Sequence, residues 1–114
     1  MKWIKRGLVK IPPNMGSWAV THAMVPFPFQ INQKVIRVFA TFLDDNGIGR
    51  PGYLDISPDD PFKVLNYSSK PILDIGISGS FDDNGVVLCS VIQNQNGSLY
   101  MYYACLLYTS PSPR

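Results

Sequence analysis

SFDDNGVVLCSVIQNQNGSLYMYYA, Ser80 to Ala104, contains two β-rich runs and two turns. An acidic turn, Asp82-Asp83-Asn84-Gly85, leads into the apolar run Val86–Ile92. A polar turn, Asn94-Gln95-Asn96-Gly97, leads into the aromatic run Leu99–Tyr103. Two such runs joined by a short Asn/Gly turn predict a β-hairpin, with two carboxylates delivered to the start of its first strand.

Working back from that hairpin, the chain continues in short strands and frequent turns. His22–Ile31 is a strand whose Pro26 and Pro28, two apart, remove donors from one side, so that side cannot be fully paired. Lys34–Phe42 is a second strand. Asp44-Asp45-Asn46-Gly47 is the strongest hairpin turn in the chain, and Arg50–Ile56 a third strand behind it. Phe62–Tyr67 makes a short fourth. Trp3–Ile11 alternates imperfectly and reads as an edge strand or an extended arm, ended by Pro12-Pro13. Apolar residues nowhere recur at helical spacing over a useful length, so the chain is expected to be all-β.

The 114 residues leave room for one small domain, and a hydrophobic content of 46% excludes a disordered chain. Lys2, Lys5, Arg6 and Lys10 form the only basic cluster. No basic stripe continues from it, so it reads as a solvated segment and no nucleic-acid partner is expected. No apolar run is long enough to span a membrane, and Gly7–Pro13 is too short and broken for a secretory signal. Cys89 and Cys105 are too few for a disulfide framework or zinc site, and His22 stands alone. No metal or other cofactor is expected, and the default location is cytoplasmic. The chain contains no Glu, so any carboxylate chemistry must rest on its eight Asp residues.

Cys105–Arg114, CLLYTSPSPR, breaks the strand pattern and ends in a Ser/Pro run. It back-translates without strain into a transposase adapter used in sequencing-library preparation. Residues 105–114 are therefore expected to be non-native, with 1–104 the N-terminal piece of something longer.

His22–Thr41 lies over Gly85–Ala104 without a gap, and the apolar pattern matches throughout. A strand-turn-strand unit that recurs after about sixty residues, with two strands between, suggests four-stranded propeller blades. Two similar hairpins in a sandwich are the alternative. MKWIKRGLV, THAMVPFPF, DDNGIGRPGYLDI, KPILDIG and the opening hairpin together resemble the glycosidase-like five-bladed β-propeller proteins, related to the invertase and arabinanase groups of glycoside hydrolases. The resemblance implies a first blade at about 22–67 and the first hairpin of a second at about 85–104. It implies a carbohydrate-active protein that acts on or transfers glycosyl units of an oligosaccharide or glycoconjugate, with the fragment itself inactive. A non-catalytic carbohydrate-binding propeller and a structural β-domain are the alternatives. The family's nucleophile motif is absent: Thr21-His22-Ala23-Met24-Val25-Pro26 carries no acid where the invertase group has Asn-Asp-Pro.

Glycoside hydrolysis needs two carboxyl groups across the scissile bond. Asp82 and Asp83 are the catalytic candidates, but neighbours on an extended chain point to opposite faces, so at most one would face a site. His22, at the equivalent strand start, could touch sugar or acid. Arg50 could hold hydroxyls or pair a carboxylate, and Trp18 could stack on a sugar face. Against each stands a plainer role: turn acid, loop histidine, surface ion pair, core packing.

Overall fold

A computed structural model describes residues 2–80 and 85–105. They form six strands: β1 (His22–Asn32), β2 (Val35–Leu43), β3 (Gly49–Ile56), β4 (Val64–Tyr67), β5 (Val86–Gln93) and β6 (Leu99–Cys105). The first four make one antiparallel sheet in sequential order, and β5–β6 make a second. Residues 2–11 form no strand and make an N-terminal arm, exposed over residues 2–10.

The turn Asp44–Ile48 sets the β2–β3 register. Asp44 Oδ1 accepts the N–H groups of Asn46 and Ile48 at 2.8 and 3.0 Å, and Gly47 takes φ 76°, open to glycine without a Cβ penalty. The turn Asn94–Ser98 repeats this chemistry: Asn94 Oδ1 accepts from Asn96 and Ser98 at 3.1 and 3.2 Å, with Gly97 at φ 89°. β1 is the irregular strand. Its pairing with β2 shifts between Met24 and Phe27, where Val25 sits at φ 53° immediately before Pro26. That is an unusual backbone for a β-branched residue and marks a bulge.

Strand alternation gives β2 two buried faces. Ala40 and Phe42 face a cluster of Met15, Trp18, Ala19 and Leu54. Phe39 faces Leu88 and Val91 of β5, with Phe27, Phe29, Tyr53 and Met101 around them. The second sheet therefore lies against one face of the first, while the loop before β1 covers the other. A hydrogen bond crosses between the sheets: the Leu88 N–H donates to the fully buried Thr41 Oγ1 at 2.8 Å.

The arrangement is all-β, but it corrects the propeller expectation. Both sheets are open and flat, without the curling or closure of a propeller blade. The physical reason lies in the repeat. Strand-turn-strand recurrence is common to every antiparallel meander, and it does not say whether the second hairpin continues a radial array or packs across the first sheet. Here β5 contacts β1, β2 and β3 across the sheet face. The arrangement is layered, and a first propeller blade plus part of a second is not what these residues build.

Candidate functional site

Polar side chains gather at one end of the four-stranded sheet. His22 opens β1 and pairs with Leu43 at the end of β2, and Gly49 opens β3 opposite the same Leu43. The segment after β4 returns to this end, held by the Ile72 N–H donating to the Pro51 carbonyl at 2.8 Å. It delivers Asp74. Arg50 sits between two carboxylates: Nη1 donates to Asp44 Oδ2 at 2.9 Å, and Nε to Asp74 Oδ1 at 2.7 Å.

The electrostatics follow from those contacts. For Asp44, burial opposes ionisation, but the Ile48 N–H, the Arg50 guanidinium and the Asn46 N–H outweigh it and hold the carboxyl below its usual range. The Arg50 bond is the main cause of the downward shift at Asp74, against a smaller opposing burial. Arg50 itself is pushed up despite burial, because both carboxylates favour its charge. A second cation is used in the same way on the face toward β5. Arg37 donates to Asp55 through Nε and Nη2, at 2.8 and 3.0 Å, and lies 3.9 Å over the Tyr53 ring. Each guanidinium is thus occupied by protein carboxylates, and what the arrangement does chemically is clamp strands and connections together.

The residues singled out from sequence separate. His22 and Arg50 come to the same sheet end, His22 exposed and Arg50 mostly covered. Trp18 belongs to the core. Its ring meets Phe42 edge-on at 5.4 Å, and its indole N–H donates to the Ser69 carbonyl at 3.2 Å. Asp82 and Asp83 lie outside the described residues. Asp74 was missed, and 24 positions from Arg50 it carries no local signal. Asp55 was missed too, although counting outward from the Asp44–Ile48 turn places it opposite Arg37.

Among the described residues, no group of three or more His, Cys, Asp or Glu could hold a metal ion, and no helix is long and apolar enough to cross a membrane. Cys89 and Cys105 are free thiols. An apolar groove of about 390 Å³ runs between Leu8, Val9 and Ile11 of the arm and the sheet residues Ala23, Pro26, Val38, Ala40, Phe42 and Leu54. It offers no group for bond-breaking chemistry.

No family model matches the chain, and no solved structure matches it. Two curated relatives do, both from Mycobacterium tuberculosis: "Uncharacterized protein MT1551" of strain CDC 1551 / Oshkosh and "Uncharacterized protein Rv1502" of strain ATCC 25618 / H37Rv. Each is 28% identical over 102 residues, covering 90% of this chain and 34% of the relative. The chain thus spans about a third of the length of the curated relatives it matches. Neither relative's name carries a glycosidase or any other activity. With the open, flat sheets, this removes the support for a carbohydrate-active propeller and for a glycoside hydrolase-like enzyme.

Proposed function

We propose that this chain is a structural β-module, whose work is to pack against further protein. The observation that carries the reading is apolar surface left in solvent on a folded scaffold. Ile92, Tyr100 and Tyr102 on the second sheet, and Trp3, Ile4 and Ile77 elsewhere, are all exposed. Scattered apolar residues are ordinary on a surface, but neighbours on one sheet face are the mark of an interaction surface. The polar groups point the same way, because Arg37 and Arg50 are engaged within the fold. The relatives' greater length supports a setting in which such a module has something to pack against. A cytoplasmic setting is part of the proposal, supported by the free Cys89 thiol.

The test is binding of 8-anilinonaphthalene sulfonate to the native chain, with folding verified by near-ultraviolet circular dichroism. Saturable dye binding that disappears when urea unfolds the chain is the expected result. A folded chain that binds no dye has no unsatisfied packing surface, and that result overturns the proposal.

A further inference from the structure

We infer that the outer face of the β5–β6 hairpin seats a further β-sheet, supplied by sequence that the Mycobacterium tuberculosis relatives carry outside the matched segment. The inference rests on the structural-module reading and makes it specific.

The hairpin has two apolar faces. Its inner face, with Leu88 and Val91, lies on the four-stranded sheet. Its outer face pairs Ile92 with Tyr100 and Ser90 with Tyr102. Ile92, Tyr100 and Tyr102 are 51%, 51% and 57% exposed, so half or more of each is uncovered. A sheet with one face in water normally alternates apolar with polar residues, whereas strands apolar on both sides belong between layers. Neither Val86–Gln93 nor Leu99–Cys105 contains a charged residue, so neither strand puts a formal charge on the outer face.

The chemistry of the face selects a sheet over a polar ligand. The Tyr100 hydroxyl accepts a hydrogen bond from Asn94 Nδ2 at 3.2 Å, so its polar tip is engaged within the hairpin and its ring remains for packing. The opposite face of the same hairpin already takes a sheet, with an aromatic and aliphatic lining of the same kind. Roughly two thirds of each relative lies outside the match, which supplies ample chain for another layer.

The test is cysteine footprinting on intact proteins. In a Cys89→Ser, Cys105→Ser background, Ile92→Cys and Tyr100→Cys are introduced singly, with Asn96→Cys as a turn control. The same replacements are made at the aligned positions of the full-length Rv1502 protein, its own cysteines removed. Iodoacetamide should label positions 92 and 100 of this chain as fast as position 96. In the full-length relative the two face positions should be slowed on the order of a hundredfold, as expected where labelling requires local opening, while the turn stays fast. Fast labelling of both face positions in the relative overturns the inference. Protection in this chain that grows with its own concentration overturns it too, by making a second copy the occupant. If the native chain binds dye while the relative's face labels fast, only the choice of face fails. If the native chain binds no dye, the module reading falls with it.

Discussion

Replacing Thr41 with Val should separate the joint between the two sheets from the packing around it. The side chains have nearly the same shape, and Thr41 is completely buried. The change removes one atom's function: Oγ1, which accepts the Leu88 N–H at 2.8 Å. That N–H would stay buried, because Leu88 is also completely buried. A buried donor left without a partner costs about 1–3 kcal/mol. Valine's extra methyl returns little, since the hydroxyl it replaces already filled the space. A loss of about 1–3 kcal/mol in a domain of this size lowers the melting temperature by roughly 4–8 °C per kcal/mol. Thr41→Ser keeps the acceptor and loses a methyl group, at a cost of about 0.8 kcal/mol. Thermal and urea unfolding of the three proteins, with Leu88 amide exchange measured alongside, gives the answer. The expected order is wild type, Ser, then Val, with Leu88 exchanging fastest in the Val variant. A Val variant as stable as wild type would refute the reasoning, because the joint would then be held by apolar contact alone.

Two further perturbations follow from the packing and the charges. Gly52→Ala should be severe. A Cβ there would lie 2.3 Å from Trp18 Cη2 and 2.8 Å from Ser68 Oγ, so the indole must leave its seat; overpacking of this kind costs about 1–3 kcal/mol or more, read as lost near-ultraviolet Trp signal and a lower urea midpoint. Acid should weaken the sheet end that carries Arg50. Asp44 and Asp74 are held below their usual range when folded, so their stabilisation is present above the unfolded carboxylate value and is lost as pH falls through the lower folded values, below about pH 4. Asp74 is 69% exposed and solvent-screened, so Asp44 should carry most of the effect. Arg50→Met should therefore flatten part of the acid limb of a stability-against-pH curve, the Ile48 and Asn46 N–H bonds to Asp44 keeping the rest; an unchanged limb would show that the ion pairs do not set it.

Local turn chemistry was the most readable part of this protein. Asp44-Asp45-Asn46-Gly47 and Asn94-Gln95-Asn96-Gly97 each declare a hairpin, and β2, β3, β5 and β6 follow within a residue or two of the expected bounds. Pro26 and Pro28 say that one side of their strand cannot be fully paired, and β1 is an edge strand, hydrogen-bonded to β2 alone. Packing was much less readable. Alternation assigns residues to faces but does not say which partner covers a face. The 63-residue recurrence fits successive blades as well as stacked hairpins, and its second copy lies across the first sheet. Gly52 shows the same gap at the scale of one residue. Nothing in GRPGYLDI says that this glycine is the seat of Trp18, 34 positions earlier.

The candidate site was difficult to read for a related reason. Arg50, Trp18 and His22 have side chains that can bind sugars, yet the surroundings decide whether such a group is available. Arg50 meets Asp74, a residue with no nearby motif, and its donors are directed into the fold. Trp18 meets Gly52 and Phe42 and becomes core. The feature that bears most on function is the aromatic run Leu99–Tyr103. The hairpin it belongs to is apolar on two sides at once. Alternate residues of one hairpin send Leu88 and Val91 inward, and Ile92, Tyr100 and Tyr102 outward. Only the placement of the first sheet distinguishes them. Once one face is accounted for, the apolar character of the other becomes a requirement for a second covering layer, a conclusion that neither strand pattern nor motif could reach alone.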